Sequence, residues 1–133
     1  MTITTSPART SDSLLRLALR ADGICSVAAG ATIIATAVPL SAVTGIPRPV
    51  EYGVGVGFLL YGMALLVLAR RPRIRGAGVG VAIANTLGTA IALVVATTAV
   101  PPLTAAGVAG VLAIGLYTAV FAAVQYLGVR RLT

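Results

Sequence analysis

The chain has no His, no Trp and no Lys, one Cys, and three carboxylates among 133 residues. Without His, and with Asp12, Asp22 and Glu51 scattered, no cluster of two or three metal ligands lies close in sequence. Acid/base or nucleophilic chemistry would have to be assembled from Asp22, Glu51, Tyr and Ser. No catalytic residue, metal or cofactor is therefore expected, and the chain reads as non-enzymatic. Cys25 alone forms no internal disulfide, and it lacks the preceding small-residue tripeptide of a lipoprotein signal. Charge is scarce as well, at 10% of residues, where a soluble domain carries about 25%.

Apolar side chains fill the space, at 58% of the sequence with a mean hydropathy of +1.01. Fifteen Gly and seven Pro do not make this a disordered linker, because disorder requires low hydrophobicity and high charge. All ten basic residues are Arg, confined to short segments between long uncharged ones. A binder of phosphate backbones spreads its basic groups over a water-facing surface. Nucleic acid is excluded on that ground, and the lipid bilayer is the expected partner.

About 20 apolar residues at 1.5 Å each cross the hydrocarbon. The uncharged intervals run from Gly23 to Pro47, from Tyr52 to Ala69 and from Gly76 to Val129. The last is long enough for two crossings, and Pro101-Pro102 divides it. The expectation is an all-α polytopic membrane protein with four transmembrane helices in an antiparallel bundle, at about 14–43, 50–70, 76–98 and 103–130. Short Pro-, Gly- and Thr-rich turns at 44–49 and 99–102 and a basic turn at 70–75 force neighbours to run antiparallel. Residues 1–13 are expected to be a flexible cytoplasmic N-terminus, and residues 14–133 a single domain.

Arg9, Arg16, Arg20, Arg70, Arg71, Arg73, Arg75, Arg130 and Arg131 fall on one side of this arrangement, and Arg48 alone on the other. The positive-inside rule then places both termini and the middle loop in the cytoplasm, with the protein in the inner (plasma) membrane. Leu14 to Ala21 reads as an interfacial helix or the first turns of helix one. The competing reading, a cleaved signal peptide, has a poorly placed cleavage site.

Helices in lipid associate through small residues and hydrogen bonds. Gly76, Gly80, Ala84, Gly88, Ala92 and Ala96 recur every four residues along helix three and are expected to form a helix contact, either within the bundle or between copies. Gly53 with Gly57, and Gly115 with Ala119 and Ala123, are weaker versions. Leu60-Tyr61 before Arg70-Arg71 and Leu116-Tyr117 before Arg130-Arg131 hint at tandem hairpins.

Polar groups at membrane depth are either packing glue or sites. Asn85, with Thr89 one turn on, is the first candidate; an interhelical hydrogen bond is its expected role, and lining a cavity the alternative. Asp22 is the second. An interfacial ion pair with Arg20, Arg130 or Arg131 is expected there, and loading of a coupling proton is the alternative. Thr32 and Thr36 are expected to bond their own helix, and Glu51 to form an exposed pair with Arg48. Gln125 and Tyr126 close helix four, and Tyr52 opens helix two as an interfacial anchor. Arg70, Arg71, Arg73 and Arg75 are explained by topology, with binding of anionic lipid headgroups as the second reading.

The opening LRLALRADG, the Ala84-Asn85 pair and the closing QYLGVRR together resemble a group of small, uncharacterised actinobacterial four-helix integral membrane proteins; an Arg-only, Ala/Gly/Val-rich composition fits such a source. The likeness spans almost the whole chain and implies the fold, but no activity. Asp22, Asn85, Gln125 and Arg130 match its pattern, whereas the acidic residue that often precedes the QY pair is replaced by Ala122, Ala123 and Val124. Small multidrug transporters have similar length, but depend on a Glu and aromatic residues in helix one, absent from Ile24 to Val43. Two functions remain. One is a non-enzymatic membrane protein that self-associates, as a homo-oligomer, or serves a larger membrane complex as accessory subunit. The other is a small oligomeric channel or carrier in which Asn85, Thr89 and Tyr61 or Tyr117 line a path.

Overall fold

A computed structural model describes residues 12–98 and 102–132. The expected flexible segment 1–13 and the turn at 99–102 lie largely outside them. Four helices follow one another: α1 (Ser13–Thr44), α2 (Arg48–Leu68), α3 (Arg75–Thr98) and α4 (Ala105–Arg130). Each is long and apolar enough to cross a membrane, and no strand occurs among the described residues. The Leu14–Ala21 stretch is the beginning of α1, not a separate interfacial helix.

Turn chemistry sets the helix ends. Gly45 ends α1 in the left-handed conformation (φ 78°), and its amide donates to the Ser41 carbonyl at 3.0 Å, the geometry that glycine adopts without a Cβ penalty. Pro49 follows in the first turn of α2, where a missing amide donor is harmless. Thr104 caps α4, its hydroxyl accepting from the Gly107 amide at 3.0 Å. At the other end of α2, Arg16 reaches across from α1. Its guanidinium donates to the carbonyls of Ala69 (2.9 Å), Arg71 (2.8 Å) and Pro72 (3.1 Å) and pairs with Asp12 at 2.9 Å. A cation on the last carbonyls of a helix satisfies orphan acceptors and complements the helix dipole.

Helices α1 and α2 approach each other closely through facing glycines. A Cβ on Gly62 would lie 2.6 Å from the Gly23 carbonyl, and one on Gly30 would lie 2.5 Å from the Gly55 carbonyl. Gly23 therefore faces Gly62 and Gly30 faces Gly55, in an antiparallel pair whose glycines are spaced by seven residues. The line continues as Ala37 and Thr44 on α1 and Ala69 on α2, all buried. A seven-residue period keeps one face toward its neighbour with a slight left-handed supercoil.

The other face of α1 meets α4: Gly128 packs on the backbone of Leu15, and Gly107 on the carbonyl of Thr44. Helix α3 packs in turn on α4, with Ala92 against Gly115 and Gly88 against Thr118. The order around the bundle is thus α2, α1, α4, α3, and the seam between α2 and α3 is the loosest. A cavity of about 400 Å³, lined by residues of all four helices, lies in the half of the bundle away from the 70–75 turn.

Candidate functional site

Asp22 lies nine residues into α1, about 14 Å along the axis at the helical rise, and is fully buried. Hydrogen-bond donors converge on its carboxylate from all four helices. Oδ1 accepts from the Tyr117 hydroxyl of α4 at 2.7 Å and from Ser26, one turn on along α1, at 3.2 Å. Oδ2 accepts from Gln125 Nε2 of α4 at 2.7 Å, from Asn85 Nδ2 of α3 at 2.9 Å and from the Tyr61 hydroxyl of α2 at 3.5 Å. The donors are tied to one another: Asn85 Nδ2 also donates to Gln125 Oε1 at 2.9 Å, and the Ser26 and Tyr117 hydroxyls are 3.2 Å apart.

The packing explains the convergence. Asp22 precedes Gly23 and Tyr61 precedes Gly62, so the glycine contact that joins α1 to α2 also brings Tyr61 to Asp22. Gly128 on Leu15 sets the register of α4, which places Gln125 and Tyr117 on the same face of α1.

Every donor in the cage is uncharged. The expected ion pair of Asp22 with Arg20, Arg130 or Arg131 is therefore overturned. Arg20, two residues before Asp22 on α1, is exposed, whereas Asp22 lies on the face of the helix turned into the bundle. An isolated carboxylate in hydrocarbon costs several kcal/mol. Hydrogen bonds to a charged group contribute about 1.5–3 kcal/mol each, so five neutral donors offset a penalty of that size. The donor set also has a polarity. Asn85 and Gln125 present N–H groups, which suit a carboxylate, whereas the Tyr117 and Ser26 hydroxyls rotate and accept a hydrogen bond from a neutral acid.

Asn85 makes the interhelical bonds expected of it, to Asp22 and Gln125. Thr89 stands outside the cage and joins α3 to α4, its hydroxyl 2.7 Å from that of Thr118 and 3.2 Å from the Gly115 carbonyl. Thr32 and Thr36 bond the carbonyls of Ala28 and Thr32 in their own helix. Gln125, read in the sequence as a residue at the helix end, is fully buried and belongs to the cage, whereas its neighbour Tyr126 is exposed beneath Arg130, 5.8 Å from the ring centre.

Glu51 also departs from expectation. It is 4% exposed, its Oε1 accepts from the Thr44 hydroxyl at 2.8 Å, and no ion pair joins it to Arg48. Position fifty-one lies in the first turn of α2, on the side that faces the end of α1 rather than water.

The four-residue stripe on α3 is divided. Gly88 and Ala92 meet α4, whereas Gly76 and Gly80 face open space and Ala84 is exposed. Gly53 and Gly57 of α2 are likewise open. Arg70, Arg71, Arg73 and Arg75 are exposed at the end of the bundle that also carries Arg16.

An opening of about 290 Å³ between α2 and α3 reaches the cage at Tyr61 and Asn85, and shares Val54 and Phe58 with the larger cavity that ends at Glu51. From Glu51 to Tyr61 along α2, ten residues span about 15 Å. A buried acid therefore lies beside each opening, Asp22 behind Tyr61 and Asn85 and Glu51 in the wall of the larger cavity. Comparison with family models, with curated proteins and with solved structures finds no match to this chain.

Proposed function

We propose that this protein is a small, non-enzymatic membrane carrier whose working ion is a proton held at Asp22. The observation that carries the reading is a fully buried carboxylate whose five donors are all neutral and come from all four helices. A structural acid at this depth would be expected to hold a cation; Asp22 instead has partners that serve both protonation states. When the proton arrives, Tyr117 or Ser26 turns from donor to acceptor. Tyr61, at 3.5 Å the longest of the five bonds, stands between the cage and the α2/α3 opening and is the residue that admits the proton. In this reading the arginine-rich end faces the cytoplasm by the positive-inside rule, and Arg70, Arg71, Arg73 and Arg75 lie at the level of anionic headgroups.

The test is proton entry into liposomes that enclose a pH-sensitive dye, with the membrane potential clamped. After an external acid pulse, vesicles with the wild-type chain acidify faster than protein-free vesicles, and vesicles with Asp22→Asn match the protein-free rate. Equal rates for the wild type and Asp22→Asn would overturn the reading.

A second role, as a self-associating protein or accessory subunit of a larger membrane complex, is favoured by the open small residues Gly53, Gly57, Gly76 and Gly80. They allow another helix to approach closely. Native mass measurement after mild extraction distinguishes an assembly from a single chain.

A further inference from the structure

We infer that the 400 Å³ cavity among the four helices binds an amphipathic monocation, with its positive group at Glu51 and its apolar body along Val54, Phe58 and Ile91. The cavity walls are aliphatic and aromatic throughout, and the polar side chains among them, Glu51 and Thr44, sit together at one end. Its volume falls within the range of small-molecule sites, which are mostly apolar with a few placed polar groups. The charge fixes the class of occupant. Glu51 stands in the first turn of α2, where the helix dipole favours a negative group, and among the described residues no arginine forms an ion pair with it. A neutral acyl chain satisfies the walls but leaves the carboxylate unmatched, and an anionic amphiphile is repelled by it. A single cation on an apolar body matches both.

The inference names the class of solute for the carrier proposed above and rests on that reading for transport, but not for binding. The probe is (4-phenylbutyl)trimethylammonium, whose charge is permanent, and its counterpart is 4-phenylbutanesulfonate, of similar shape and opposite charge. Titration calorimetry of the full chain in a neutral detergent is expected to show binding of the cation at least tenfold tighter than of the sulfonate. Glu51→Gln weakens cation binding at least tenfold and removes the preference. Gly110→Leu provides a second arm: Gly110 lines the cavity and a Cβ there meets nothing within 4 Å, so leucine adds bulk at the cavity wall without a clash and is expected to weaken binding tenfold or more. Equal binding of both probes, or binding untouched by both variants, would overturn the inference and leave the cavity to lipid chains. Asp22→Asn retains cation binding. If the cation binds as described but no proton moves through the wild type, the carrier reading fails and the binding site stands.

Discussion

The Tyr117 hydroxyl of α4 lies 2.7 Å from Oδ1 of Asp22 and 3.1 Å from the Asp22 backbone carbonyl, so one aromatic side chain bridges both polar groups of the buried acid. Tyr117→Phe keeps the ring, including its tilted contact with Phe121 at 4.8 Å, and removes the donor. Unfolding in mixed micelles is expected to show a loss of about 1.5–3 kcal/mol, the range for a hydrogen bond to a charged group. A change within about 0.5 kcal/mol, the size of an ordinary surface substitution, would count against the bond.

Substitutions at Asp22 itself separate charge from shape. Asparagine fits the cage, its oxygen taking the Asn85 and Gln125 donors and its amide facing the Tyr117 and Ser26 hydroxyls. Leucine leaves those donors unpaired in a dry interior, each at about 1–3 kcal/mol. The Asn variant is expected to extract from membranes as a folded protein and the Leu variant to aggregate or unfold, as size-exclusion profiles will show.

The glycine pairs give a contrast within one helix. Gly62→Ala drives a Cβ to 2.6 Å from the Gly23 carbonyl, and the helices must separate; overpacking of this kind costs about 1–3 kcal/mol. Gly57→Ala, five residues earlier, meets nothing within 4 Å and is expected to be neutral or slightly stabilising, since Gly is the poorer helix former by about 1 kcal/mol. Thermal melts of the two variants in detergent check the pair.

Arg16 is predicted to act through geometry as well as charge. Arg16→Lys retains the cation, but a single ammonium does not reproduce a planar fork on three carbonyls. Both Arg16→Lys and Arg16→Ala are expected to increase proteolytic cleavage in the 70–75 turn, Ala more than Lys, whereas Arg73→Ala leaves the backbone contacts of that turn intact.

The helices were legible because charge is expelled from the hydrocarbon, so each crossing is bounded by arginines or prolines that can be read directly. The cage was not. Asp22, Asn85 and Gln125 are 63 and 40 residues apart in sequence, and no local period connects them. Arg20 beside Asp22, and Arg48 beside Glu51, suggested surface pairs, yet each acid faces inward while its neighbouring arginine points outward. The packing signal was present in another period. Small residues recur every four positions along α3, yet half of that stripe is open, whereas Gly23 with Gly30 and Gly55 with Gly62 share a spacing of seven that marks the close contact of α1 with α2. That spacing, read with Asp22 and Tyr61 each one residue before its glycine, would have placed those two side chains together.

The most direct test of the central claim is infrared difference spectroscopy of the membrane-embedded protein between acidic and alkaline buffer, with Asp22→Asn subtracted. The account predicts that a protonated carboxyl C=O band appears on acidification, shifts when Tyr117 is replaced by Phe, and is absent from Asp22→Asn. A wild-type spectrum identical to that of Asp22→Asn throughout the titration would show that Asp22 never exchanges a proton, and would reduce the cage to a structural network.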